Sequence, residues 1–140
     1  MTNLNIPLLQ YVLFGRLKKE FQTPLEIVPT ISPSANLVSN IYPNASNYIK
    51  FTSSCYKLIF DGGKFNVYLF FRNMKANDGS YTEPSSLEFL CPDEDESLLK
   101  MHYEQTLFPS DKEMKEYITS FINKVVYNFI FKCDEKYNLN

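Results

Sequence analysis

The side chains that most often carry chemistry are scarce in this sequence, which has one histidine, His102, and three cysteines, Cys55, Cys91 and Cys133. These four could form a structural zinc site only by converging from distant points of the chain, because no Cys-x-x-Cys pair supplies two ligands from one turn. We therefore predict no metal site. The cysteines are instead typical of small apolar side chains in a reducing compartment.

Nucleophilic catalysis needs a base, and His102 is the one histidine that could serve. It alternates with Met101 and Tyr103 in a pattern that favours an exposed strand position over a catalytic one. Cys91, a conceivable nucleophile, precedes a run of acids whose negative charge disfavours a thiolate. We predict that the protein is not an enzyme and has no catalytic residue and no cofactor.

The acidic run consists of Asp93, Glu94, Asp95 and Glu96. Consecutive residues on a turn point in different directions, so these carboxylates do not make an acid–base pair. Their spacing also lacks the alternation of a calcium loop. The run is typical of a solvated turn, and it is also a candidate docking patch for a basic partner. The four acids are therefore candidate partner-binding residues.

Two aromatic residues, Tyr68 and Phe70, fall on the more polar face of a predicted strand, beside Asn66 and Arg72. Three interpretations stay open for them: core beneath the first helix, a protein-partner surface, or a stacking platform for single-stranded nucleic acid. The basic aromatic-glycine signature of sheet-surface RNA readers is missing. We include Tyr68 and Phe70 among the candidate partner-binding residues.

Composition excludes several classes of function. A net charge of −2, a pI near 5.4 and only two arginines argue against specific nucleic-acid binding. No apolar run reaches the roughly 18 residues of a membrane span, and the N-terminus lacks the basic region of a signal peptide. We expect a soluble, cytoplasmic protein without a membrane partner. The 140 residues, 44% of them hydrophobic, suit one globular domain over residues 1–140.

Two helices are predicted near the ends of the chain. Pro7 suits a first helical position, and apolar residues recur at helical spacing to predict a helix over 7–21. Ser110 and Glu113 form a capping box, and an apolar stripe after them predicts a long helix over 111–134.

Strands are predicted between these helices wherever apolar and polar residues alternate. They cover 25–30, as an edge strand or extended coil, 48–60 with a bulge at Ser53 and Ser54, 64–73, 87–91 and 99–104, where a short helix is the alternative. Asp61-Gly62-Gly63 is a hairpin turn. The loop over 32–46 either lies against the surface or acts as a binding arm. The predicted fold is α+β: an antiparallel sheet of four or five strands flanked by an N-terminal and a long C-terminal helix, in α-β-β-β-β-α order.

No motif identifies a family, so function is predicted from this order and from the missing chemistry. The order is similar to that of phage tail-terminator and head-to-tail connector proteins, of bacterial toxin-immunity proteins and of secretion chaperones, an analogy of fold. A chain dense in Asn, Tyr, Phe, Ile and Lys also fits an AT-rich genome, as in many phages and their hosts.

We predict a non-enzymatic protein–protein interaction and assembly protein, most specifically a small phage virion component of the neck, tail-terminator or connector type. Its partners would be proteins, including copies of itself in a ring, and it would pass from the host cytoplasm into the virion. The alternative is a small acidic inhibitor or immunity protein that binds and blocks a partner enzyme through the acidic run.

Overall fold

The computed structural model describes residues 1–30, 48–51, 54–72, 74–76, 85–91, 96–104 and 107–137. The predicted loop over 32–46 and residues 92–95 lie outside this part of the chain. The elements follow in the order α1 (Ile6–Glu20), β1 (Leu25–Thr30), β2 (Tyr48–Phe51), β3 (Ser54–Phe60), β4 (Phe65–Arg72), β5 (Met74–Ala76), β6 (Ser86–Cys91), β7 (Glu96–His102) and α2 (Asp111–Tyr137).

The predicted α+β class is confirmed. Strands β1, β3, β4, β6 and β7 form a five-stranded sheet in that order, with antiparallel pairing. The strand over residues 25–30 lies at a sheet edge, as its proline predicts. A second sheet pairs β2 with β5.

The predicted strand over 48–60 is wrong as a single element, because β2 and β3 divide it between two sheets. The pairing nevertheless continues in one register, with Ser54 opposite Phe71 in the larger sheet and Phe51 opposite Met74 in the smaller one. The two arms of the long hairpin therefore keep their register, although they are divided between two sheets. The second arm includes β5, which sequence analysis did not predict.

The hairpin turn at Asp61-Gly62-Gly63 is confirmed as a short 3-10 turn. All three residues have positive φ, at 50° for Asp61, 67° for Gly62 and 108° for Gly63. The two glycines adopt this region without the Cβ clash that other residues suffer. Phe60 and Phe65 then pair directly across the turn, which sets the register of the whole hairpin.

The first helix begins one residue earlier than predicted, because Asn5 caps it: the Leu8 amide donates to Asn5 Oδ1 at 3.0 Å. The capping box of the second helix is also formed, since the Glu113 amide donates to Ser110 Oγ at 3.1 Å. This helix, α2, continues to Tyr137, three residues past the predicted end.

Contacts within the chain define two compact units, one of Met1–Leu25 with Glu104–Asn140 and one of Glu26–Tyr103. The first contains both helices. Arg16 of α1 donates to Asn123 Oδ1 of α2, and the rings of Phe21 and Phe129 meet edge-on at 5.7 Å. These contacts advance in the same direction along both helices, so α1 and α2 run parallel.

The second unit contains the strands, and one face of the five-stranded sheet is apolar and buried along β3, β4 and β6. Register places Leu58 opposite Val67 and Leu69 opposite Phe89, and all four side chains are excluded from solvent. This is the core face that the alternation in β4 predicts. The predicted single domain and the packing of helices on the sheet stay predictions.

Candidate protein-interaction surfaces

The opposite face of the sheet carries the predicted aromatic pair. Register sets Cys55 opposite Phe70, and Tyr68 opposite Leu90. Cys55, Phe70 and Leu90 form a buried cluster against which the half-buried Tyr68 packs, with the Tyr68 and Phe70 rings 6.4 Å apart. Phe70 is only 2% exposed. A partner at this face could contact Tyr68, whereas Phe70 is buried and contributes to the core.

A buried carboxylate, Glu88, lies on the same face of the sheet. It is 1% exposed and stands opposite Phe70 on β4 and Lys100 on β7. Ser97 Oγ donates a hydrogen bond to Glu88 Oε2. A carboxylate taken out of water needs such polar partners, because an unsatisfied buried charge is strongly destabilising. Sequence analysis missed Glu88, although a single acid inside an otherwise apolar strand was a visible signal.

The acidic run is only partly described. Glu96 begins β7, where its backbone stands opposite Cys91. Asp93, Glu94 and Asp95 lie outside the described residues, so their role as a docking patch for a basic partner stays a prediction.

Sequence analysis predicted neither a catalytic role nor a metal site for His102 and the three cysteines. His102 ends β7 and is exposed. The three cysteines are buried thiols, and Cys55 Sγ accepts a hydrogen bond from Thr30 Oγ1 at 3.4 Å. Among the residues that the structure describes, no group of three or more His, Cys, Asp or Glu side chains is placed to hold a metal ion.

Large exposed aromatic side chains lie on the helices, where sequence analysis proposed no site. Tyr127 and Phe131 of α2 are 73% and 56% exposed, and Tyr11 of α1 is 78% exposed. Tyr127 and Phe131 stand four residues apart and so neighbour each other on one face of the helix. Both fall outside the apolar stripe that predicted this helix. That departure was the sequence signal for an outward-facing pair.

These two aromatics belong to a longer exposed line of side chains, which we call the outer seam. Its members are separated by four, three, four and three residues, the spacing that keeps side chains along one stripe of a helix. All are exposed: Ser120, Lys124, Tyr127, Phe131 and Asp134. The seam lies opposite the buried stripe of α2, which includes Ile118, Ile122 and Phe129. Its central aromatic pair has a cation, Lys124, on the N-terminal side and an anion, Asp134, on the C-terminal side.

A shallow groove on the N-terminal half of α2 adjoins the outer seam, and Ser120 belongs to both. Lys115 Nζ lies 2.9 Å from Asp111 Oδ2 within it, and Lys112, Glu116 and Asn123 also line it. Its charged side chains are two cations, Lys112 and Lys115, and two anions, Asp111 and Glu116. The groove therefore offers no charge preference that would select an ionic ligand.

Comparisons of the chain with protein-family models, with curated proteins and with solved structures find no match. In the described parts of the chain, neither helix is long and apolar enough to cross a membrane. The surface chemistry of the chain itself is thus the basis for proposing a function.

Proposed function

We propose that this chain is a non-enzymatic assembly protein that works by binding other protein subunits through its helical surface. The observation that carries the proposal is the outward-facing aromatic pair of α2, Tyr127 and Phe131, with 73% and 56% of their surface in water. Single exposed apolar residues are ordinary on protein surfaces. Two adjoining aromatic rings on a well-formed helix are more typical of an interface.

The physical support is the free energy that these rings would gain on binding. A buried aromatic side chain removes about 150–250 Å² from water, at roughly 25 cal/mol per Å². Tyr and Phe also lose few rotatable bonds when they become ordered, so more of that gain is retained. A rigid helix holds both rings in place before a partner arrives, which further lowers the entropic cost of association.

The more specific proposal is a small virion component of a phage, at the neck, tail terminator or connector. Its support is the helix–sheet–helix order of the chain, an analogy of fold. Such components act as many copies in contact with one another, and a surface built for protein contact suits that role. The protein would then pass from the host cytoplasm into the particle.

The test is expression of the tagged chain in its native source, followed by sedimentation of the extract. Wild type is expected to sediment in assemblies heavier than the 16.4 kDa chain, and Phe131→Ser is expected to shift it toward the monomer. Tyr11→Ser is the matched control, since Tyr11 is also an exposed aromatic, at 78% against 56% for Phe131, but lies on α1. Mass spectrometry of purified virions tests the phage assignment.

Two results would overturn the proposal. One is a chain that sediments as a monomer in the extract and stays monomeric when purified at high concentration. The other is an assembly whose mass is the same for wild type and Phe131→Ser, since the aromatic pair would then take no part in it. Absence from purified virions would remove the phage assignment alone.

A further inference from the structure

We propose that the outer seam of α2 binds the outer seam of a second copy of this chain, with the two helices antiparallel. This inference rests on the proposed function and names the partner of the same surface. The seam is defined above as Ser120, Lys124, Tyr127, Phe131 and Asp134, all exposed on one stripe of the helix.

The spacing of the seam is that of a coiled-coil interface. Residues separated by alternating steps of three and four face one neighbouring helix along its length. In an antiparallel pair with a two-fold axis, Tyr127 of one copy lies level with Phe131 of the other. The same axis sets Phe131 against Tyr127, so both aromatic rings of each copy are covered at once.

The charges on either side of the aromatic pair select this orientation. The two-fold axis that pairs the aromatics also sets Lys124 of each copy level with Asp134 of the other, which forms two opposite-charge contacts. A parallel pair in register would instead set Lys124 against Lys124 and Asp134 against Asp134. Opposed like charges would weaken that arrangement, so the two charges of the seam favour the antiparallel one.

The size of the surface sets the strength expected. Four aromatic rings that each bury about 150–250 Å² leave the contact below the roughly 1,200 Å² of a standard interface. The dimer should accordingly be weak and depend on concentration, as suits subunits whose contacts are reinforced by other contacts in an assembly.

The test is sedimentation equilibrium of the purified full-length chain, from about 10 μM to about 1 mM, a range that brackets weak association. Wild type is expected to shift from monomer to dimer across it. Lys124→Glu and Asp134→Lys each set like charges opposite each other twice, and each should weaken the dimer roughly tenfold or more. The double variant restores opposite charges and should recover the wild-type constant. Far-UV circular dichroism and the denaturation midpoint control for folding.

Each outcome decides the inference. Recovery in the double variant supports antiparallel pairing. A monomer at every concentration overturns it, and so does a dimer that all three variants leave unchanged, as a parallel pair would be. If the purified chain is monomeric while Phe131→Ser still disrupts assemblies in the native extract, the proposed function stands and the partner is another protein. If the purified dimer forms but assembly in the extract ignores Phe131→Ser, the proposed function fails instead.

Discussion

Two aromatic pairs of this molecule differ in their exposure to solvent. Tyr68 and Phe70, two residues apart on β4, lie in or against a buried cluster with Cys55 and Leu90. Tyr127 and Phe131, four residues apart on α2, face solvent. Each pair stands outside the apolar pattern that predicted its own element, so the pattern alone does not distinguish them. The difference shows that a position off the main apolar face does not by itself predict exposure to solvent.

The physical reason lies in the geometry of the two elements. A strand inside a sheet has two broad faces, and its neighbours on both sides extend each face into a surface large enough to be covered. β6, which adjoins β4, is buried on both of its faces. A helix has one stripe that contacts its neighbours, and the opposite stripe is left to water or to a partner.

The largest expected effect is on stability, and it tests whether the two pairs differ as described. Phe70→Ala should lower the free energy of unfolding by about 3–5 kcal/mol, because it removes a large side chain from a closed core. Phe131→Ala should lower it by less than about 1 kcal/mol, because more than half of that ring is already in water. Urea denaturation of the two variants and wild type measures both values.

Equal losses of stability for Phe70→Ala and Phe131→Ala would break the comparison. An equal and large loss would mean that the seam is covered by the rest of the chain, and an equal and small one that the cluster around Phe70 is open. Phe70→Leu serves as the matched control in the sheet, since it keeps an apolar group in the cluster and should cost less than Phe70→Ala.

A second, smaller effect concerns the polar part of the sheet face. Ser97→Ala removes the hydroxyl that donates to the buried carboxylate of Glu88, and should cost about 1–2 kcal/mol, near the range for hydrogen bonds to charged groups. Ser97→Thr keeps a hydroxyl and suits a strand, so it should retain most of that stability. Equal unfolding free energies for wild type, Ser97→Ala and Ser97→Thr would show that Glu88 does not depend on this bond.

The sequence predicts the elements well where one strong local signal is present. The Asn5 cap was not predicted, but the start of the first helix predicted from Pro7 is only one residue later than the observed start. The capping box at Ser110 placed the start of α2 correctly. The division of the strand over 48–60 falls between Phe51 and Ser54, beside the predicted bulge. The change from one sheet to another was not predicted, because the same register continues on both sides of the interruption.

The candidate surface was harder to predict than the fold. Exposure of Tyr68 and Phe70 depends on what their cross-strand neighbours contribute, and Leu90 comes from a strand more than fifteen residues away. The seam of α2 is local to one helix and could have been found from its spacing. The apolar stripe that buries the helix is the stronger signal, whereas a partner-facing stripe is recognised only by its place opposite that stripe.

The outer surface of α1 provides a third test of whether the helical faces are open in the isolated chain. Gly15 lies within this helix, and a Cβ added there would meet no atom within 4 Å. Gly15→Ala should therefore raise the free energy of unfolding by about 0.5–1 kcal/mol, because alanine loses less backbone entropy in a helix. Gly62→Ala is the control: its φ of 67° disfavours a Cβ, so this variant should be destabilised. A Gly15→Ala variant less stable than wild type would mean that this face of α1 is covered.

The smallest expected effect concerns Tyr117, which lies on the same helix as the seam but stacks on Phe121 at 5.8 Å. Burial raises the pKa of Tyr117 above its ordinary value of 10.0; the nearby Glu104 carboxylate raises the pKa further, while the hydrogen bond from the Glu104 amide to its hydroxyl, at 2.7 Å, opposes both. The folded state thus holds the phenol proton more tightly than the unfolded state does. The contribution of this group to the free energy of unfolding is fully present below pH 10.0, and it is lost as pH rises through the pKa of the folded state.

Tyr117→Phe removes this ionisation, so the stability of this variant should fall less steeply as pH rises. Because the side chain is only half-buried, solvent screening keeps the difference small, and it is best read from slopes and not from absolute values. Denaturation midpoints at about pH 9 and about pH 11 bracket the tyrosine range. Wild type should lose more stability across that interval than Tyr117→Phe, while the other tyrosines, common to both proteins, contribute equally. Parallel slopes would show that the Tyr117 side chain is as accessible to water as the exposed aromatic side chains of the outer seam, and would remove the contrast between Tyr117 and those residues.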